Sequence, residues 1–101
     1  MAVIKRKISW TEKAINEKID IMEYWYAKTS STRYSQKLET LLYRSTQLLR
    51  RQPELGNLFN KDRSIRYVII NYYRLFYTYN DMHIIVLTIW DTRRNPDKFL
   101  I

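Results

Sequence analysis

The stretch IRYVIINYYRLFYTYNDMHIIVLTIW, residues 65–90, decides the fold because its apolar residues recur every second position in three short runs. Ile65, Tyr67 and Ile69 alternate with Arg66, Val68 and Ile70. Tyr73, Leu75 and Tyr77 alternate with Arg74, Phe76 and Thr78, and Ile85, Leu87 and Ile89 alternate with Ile84, Val86 and Trp90. Asn71-Tyr72 and Asn80-Asp81 are links so short that they join only antiparallel neighbours, which makes the segment a three-stranded meander.

Upstream, the period changes from two to 3.6. Ile15, Ile19, Met22 and Tyr26 follow one another at 4, 3 and 4 residues, widened by Ala14, Ile21 and Trp25, and Ser9 with Glu12 has capping-box spacing, so a helix is expected over 11–28. Thr29 to Thr32 is a hydroxyl run suited to ending one helix and starting another. A second helix is expected over 32–52, with Tyr34, Leu38, Leu41, Leu42, Ser45, Leu48 and Leu49 inward, Arg50 and Arg51 in the last turn, and Pro53 as the stop. The short link makes the two helices an antiparallel hairpin. Residues 2–8 alternate loosely and read as a first strand whose lysines suit a sheet edge. Glu54 to Arg63 has no periodicity and reads as a surface loop. The expected fold class is α+β, in the order β-α-α-β-β-β, with an antiparallel sheet, the helical hairpin on one face and the other face open. Its core should hold Ile15, Ile19, Met22, Leu38, Leu41, Leu48, Leu75, Ile85 and Leu87.

The composition narrows function by exclusion. A chain of 101 residues is one domain, spanning 1–101. Eighteen Lys and Arg against ten Asp and Glu give a net charge of +8, which points to an anionic or acidic partner. With no Cys and one His, disulfides, thiolate chemistry and a protein-built zinc site are excluded, and Gly56 alone cannot write a nucleotide-cradling loop. No cofactor and no metal are expected. Lys5, Arg6 and Lys7 interrupt any export signal and the apolar runs are too short to span a membrane, so a cytoplasmic location and no membrane partner are expected.

Candidate site residues come from the basic positions of the sheet. Arg66, Arg74, Arg93 and Arg94 fall on consecutive elements, and a cleft of guanidinium groups suits phosphate, with Tyr67, Tyr73 and Tyr77 as candidate stacking partners. A strand arginine is more commonly a solvated charge or a carboxylate partner. His83, beside a turn, reads as structural or exposed. Tyr24, Trp25 and Tyr26 have helical spacing and read as packing. Asp91 reads as ordering the Arg93-Arg94 turn rather than as a base, and neither it nor Glu54 belongs to a recognisable acid–base pair.

Taken in order, the Ser9-Trp10 strand end, Leu48-Leu49, the Pro53-Glu54-Leu55-Gly56 turn, Arg66, the Asn71-Tyr72-Tyr73-Arg74-Leu75-Phe76-Tyr77 run and Asp91-Thr92-Arg93-Arg94-Asn95-Pro96 resemble the RelE/ParE superfamily of type II toxin–antitoxin toxins. The resemblance covers nearly the whole chain. It implies a small basic bacterial toxin of the kind called a plasmid-stabilisation protein, causing growth arrest and neutralised by an acidic cognate antitoxin. Homodimer and toxin–antitoxin heterotetramer are both open as assemblies. RelE-like relatives are ribosome-dependent mRNA endoribonucleases, whereas ParE-like relatives inhibit DNA gyrase without accepted nuclease chemistry. By position, Arg66 and Arg93 match the superfamily's phosphate-holding arginines, and would be the catalytic pair in a RelE-like enzyme. No His or Tyr follows residue 83, so the usual C-terminal acid or base is missing, and only Phe99 lies near its place. The ParE-like, non-enzymatic reading is preferred on that ground. A non-catalytic basic nucleic-acid-binding module is the alternative of a different class.

Overall fold

The computed structural model describes residues 5–101, so residues 2–4 of the expected first strand lie outside the described residues. The elements are β1 (Lys7–Trp10), α1 (Glu12–Thr29), α2 (Arg33–Arg51), β2 (Asn57–Asn60), β3 (Ile65–Ile70), β4 (Tyr73–Tyr79) and β5 (His83–Asp91), followed by a 3-10 turn, Pro96–Lys98. The α+β class, the helical hairpin and the meander are as expected. Three features differ, each for a physical reason.

First, Asn57–Asn60 is a strand, paired antiparallel with β3 through Asn57 to Tyr67 and Leu58 to Arg66. It is irregular after Leu58 and exposed over most of its length, so it lacks the alternation by which a strand is recognised. Second, the five-stranded sheet has the order β1-β5-β4-β3-β2, and β1 runs parallel to β5, with Lys7 opposite His83 and Trp10 opposite Val86. The sheet is therefore mixed: β2, β3, β4 and β5 alternate in direction, and β5 lies beside β1 running the same way. Third, the face away from the helices is not open. Phe99, delivered by the 3-10 turn, packs on Phe76 at 4.8 Å and on Trp90 at 5.1 Å between ring centroids, and Phe59 of β2 meets Phe76 at 4.9 Å.

The start of α1 is capped by Thr11 rather than Ser9. Its side chain accepts from the Ala14 N–H at 3.1 Å and donates to the Leu87 carbonyl at 3.0 Å, while Ser9 is a residue of β1 opposite Ile85. This cap also covers an edge. Because β1 stops at Trp10, opposite Val86, the far half of β5 has no strand on its β1 edge, and α1 supplies side chains instead. Glu17 accepts from the Thr88 hydroxyl at 2.6 Å and from the Ile89 N–H at 3.3 Å, and Lys13 reaches both Glu17 and Thr88. The buried Thr88 is thereby satisfied.

Leu38, Leu42 and Leu49 of α2, Ala14 of α1 and Tyr73, Leu75, Tyr77, Ile84, Val86 and Ile89 of the sheet form the core. Of the expected core, Leu38 and Leu75 are buried and Met22 and Leu41 pack against its margin. Ile85 and Leu87 are only half-buried, for a reason visible in the register. Phe76 pairs with Thr88 but Tyr77 pairs with Val86, so Leu87 is an extra residue in β5 and the bulge exchanges the faces on either side of it. Ile84 and Val86 are therefore inward before it and Ile89 after it. On α1 the face turned to the sheet runs through Ala14, Ile21 and Met22. Ile15 and Ile19, expected inside, are 45% and 48% exposed, and Leu48 of α2 is exposed as well.

The loop between α2 and β2 is fixed by one hydroxyl. Tyr77 Oη accepts from the Gly56 N–H at 2.9 Å and donates to the Pro53 carbonyl at 2.6 Å. A Cβ on Gly56 would meet Tyr77 Oη at 2.6 Å and the Tyr67 carbonyl at 2.8 Å, which is why the chain's single glycine stands here. Gly56→Ala is expected to lower stability by about 1–3 kcal/mol through overpacking. Tyr77→Phe should cost about 1–3 kcal/mol, because it leaves a buried N–H and a carbonyl without a partner. Urea unfolding of the two variants measures both.

Burial pushes the hydroxyls of Tyr73 and Tyr77 above the ordinary tyrosine value of 10.0. The unfolded chain then loses these protons first as pH rises. Their contribution to stability is complete below pH 10.0 and declines as pH climbs toward the raised folded values. Urea midpoints should fall as pH rises above about 10, and less so in Tyr73→Phe.

Candidate functional site

Strand parity separates the four arginines. Arg66 lies opposite Tyr77, on the helix side of β3, whereas Arg74 lies between Ile69 and Trp90 on the other face. They do not converge. Arg66 donates from Nη1 to the Gly56 carbonyl at 2.9 Å and to the Glu54 carbonyl at 3.3 Å, so it staples the Pro53–Gly56 turn that Tyr77 holds from beneath. Arg74 rests its guanidinium 4.8 Å from the centroid of Tyr67. Of the three tyrosines considered for stacking, Tyr73 and Tyr77 are buried in the core, and Tyr67 is covered by Arg74.

Arg93 and Arg94 do share a place. With Asp20, Ile21, Tyr24 and Ile89 they line a cleft of about 510 Å³ between α1 and the end of β5. The chain turns there because the Arg94 N–H donates to the Asp91 carbonyl at 3.0 Å and the Thr92 N–H to the Tyr72 carbonyl at 2.9 Å. Asp91 grips Arg93 with both oxygens, taking Nε at 3.0 Å and Nη2 at 2.8 Å, and also accepts the Arg93 N–H at 2.9 Å. Asp91 thus orders the arginine turn. The hydrogen bond from Arg93 holds its carboxyl below the ordinary value of 3.8, and the same bond raises the Arg93 guanidinium still further above neutrality.

An aromatic platform fixes Arg93 from the other side. Its guanidinium stands 4.5 Å from the centroid of Tyr72 and 5.5 Å from that of Trp25. Trp25 itself meets Tyr34 at 4.3 Å and Tyr24 at 5.2 Å, and its indole N–H donates to Tyr73 Oη at 2.7 Å. Of the three aromatics that helical spacing marks as packing, Trp25 packs while Tyr24 and Tyr26 are largely exposed, and the meeting of Trp25, Tyr34 and Tyr72 joins α1, α2 and a turn, which no periodicity reports. Arg94 lies 5.1 Å from Trp90 and makes no ion pair among the described residues, so it is the freer cation of the cleft.

His83 opens β5 opposite Lys7, at the end of that strand remote from the cleft. Glu54 accepts from the Tyr79 hydroxyl at 3.3 Å and faces none of the cleft residues. Among the described residues no group of three or more His, Asp or Glu is placed to hold a metal ion, and no helix is long and apolar enough to cross a membrane.

Arg93→Ala should cost about 1 kcal/mol, because it removes a partly exposed ion pair and a cation–π contact together. Asp91→Asn carries a pH signature. Its carboxyl is depressed in the folded state, so its contribution is complete above the ordinary value of 3.8 and lost as pH falls through the lower folded value. The wild type should lose stability on acidification below about pH 4 more steeply than Asp91→Asn, measured by thermal unfolding across that range.

The profile of the family described as ParE toxin of type II toxin-antitoxin system, parDE, matches residues 8–96. No curated protein matches the sequence. A solved structure described as the chromosomal ParDE TA system from P. aeruginosa has the same fold, with a TM-score of 0.65 at 14% identity, over 84% of this chain and 94% of that one. The profile match takes in both helices and all five strands as far as the Arg93-Arg94 turn, and on that extent the chain belongs to the ParE toxin family of type II toxin–antitoxin systems.

Proposed function

We propose that this toxin arrests growth by binding DNA gyrase rather than by cutting RNA, and that an acidic antitoxin neutralises it by sealing the outward face of α1. The observation that carries the antitoxin reading is an apolar stripe facing away from the chain's own core. Ile15 and Ile19 are about half exposed and Tyr26 is 56% exposed, at spacings that align them on one side of α1, with Trp10 and Lys18 beside them. A stripe of that length on a chain of charge +8 fits an amphipathic segment that brings leucine-like anchors and carboxylates together.

The gyrase reading is supported by the state of the arginines. Phosphoryl transfer to a ribose hydroxyl needs cations gathered on one phosphate and a group of near-neutral pKa beside them. Here Arg66 is bound to two loop carbonyls, Arg74 lies on the opposite face and Arg93 is held by Asp91. Arg94 and the cleft wall are suited to recognising a protein surface.

The purified chain should inhibit gyrase supercoiling, and Arg94→Ala should weaken inhibition about ten- to a hundredfold, the loss of one charge-assisted contact. Ribosomes programmed with mRNA should show no new cleavage. Cleavage abolished by a 2′-deoxy substitution at the cut position would instead establish the ribonuclease reading. Ile15→Asp with Ile19→Asp should leave the circular dichroism spectrum unchanged and release the antitoxin on co-purification. An antitoxin that still binds this double variant at full strength docks elsewhere.

A further inference from the structure

α2 carries a feature that neither its packing nor the cleft uses. Arg33, Lys37, Arg44 and Arg51 are spaced at 4, 7 and 7 residues. At 100° per residue these positions fall within about 40° of one another, so they form one straight row along the helix. Leu38, Leu42, Thr46 and Leu49 face the core from the opposite side. All four cations are exposed, and among the described residues none of their side chains makes an ion pair or a hydrogen bond. The only carboxylate of α2, Glu39, is turned toward α1, where it pairs with Lys18 at 2.6 Å. At its C-terminal end the row opens into a groove of about 320 Å³ between Lys5 and the last turns of α2, lined by Arg44, Arg50 and Arg51 without any acid.

We propose that this row is a second binding surface, separate from the cleft, and that its partner is the phosphate backbone of a nucleic-acid duplex. Eighteen residues of helix place the outer cations about 27 Å apart. A duplex presents a phosphate about every 3.4 Å along each strand, so every cation on such a row has a phosphate within reach of its flexible arm. Exposed apolar side chains beside the row are confined to Tyr43 and Leu48, in the groove at its C-terminal end. An acidic protein would need such anchors along the whole row to bury area, whereas backbone phosphates need only positive charge and N–H donors. The contact is sequence-independent, because long basic side chains on a solvent face read phosphates and not base edges. This inference does not rest on the gyrase reading or on the position of the antitoxin.

The test is fluorescence anisotropy of the full chain with a labelled mixed-sequence duplex of about 20 base pairs across a salt series. Wild type should show an affinity that falls with log salt at a slope of about −3.6, four cations at about 0.9 per neutralised phosphate. Lys37→Gln, Arg44→Gln and Arg51→Gln together should bring the slope close to −1 and weaken binding roughly tenfold or more at low salt. Lys7→Gln, Lys61→Gln and Lys98→Gln together remove the same charge from exposed positions off the row and should leave the slope nearly unchanged. Circular dichroism checks that both triple variants remain folded. Equal losses in the two variants would overturn the proposal in favour of diffuse net charge. A row variant that keeps duplex binding but loses an acidic, leucine-bearing peptide would overturn it in favour of a protein surface.

Discussion

The hydroxyl of Tyr77 is a polar group within an apolar core, and its need for partners organises what surrounds it. Tyr77 is fully buried on β4, the middle strand, which is paired on both edges. An unpaired hydroxyl there would be heavily penalised, so the chain after α2 is folded back to present the Pro53 carbonyl and the Gly56 N–H. The approach is so close that position 56 has no room for a side chain. Once the turn is held, its outward carbonyls at 54 and 56 are fixed targets for Arg66, and the next residues are aimed along β3 to become β2. One satisfied hydroxyl thus sets the loop, an edge strand and the orientation of an arginine.

The same principle governs the other end of the sheet. β5 is longer than β1, and the backbone it leaves uncovered is paired by Thr11 and Glu17 of α1. α1 is therefore held by hydrogen bonds as well as by apolar contact. Glu17 bridges Thr88 and Lys13, and Trp25 reaches Tyr73. A helix fixed by these contacts turns only part of its apolar surface inward. Ala14, Ile21 and Met22 meet the core, and Ile15, Ile19 and Tyr26 remain outside as the surface a partner can use.

Charge is distributed along similar lines. Arg66 and Arg93 are engaged by carbonyls and a carboxylate and Arg74 is laid on Tyr67, so these three serve the architecture. Arg94 in the cleft, although it lies beside Trp90, and the row on α2 make no ion pair among the described residues. The net charge of +8 therefore resolves into cations that hold the fold and cations that face outward, on two different surfaces of the molecule.

Local chemistry by itself determined the class and every element but β2, which only its pairing with β3 makes a strand. Period-two alternation marked β3, β4 and β5, helical spacing and Pro53 bounded α1 and α2 within one or two residues, and the Asx-containing links made the meander antiparallel, because each signal is carried by neighbours in the chain. The role of Asp91 in ordering the arginine turn was legible for the same reason, since the partners are only two positions apart. Tertiary structure alone decided the rest. A bulge at Leu87 exchanges the inward face of β5, the hydrogen bonds of Thr11 and Glu17 set the rotation of α1, and strand parity places Arg66 and Arg74 on opposite faces. None of these has a local signature, because a side chain's face depends on the register between segments, and a shift of one residue in that register reverses it.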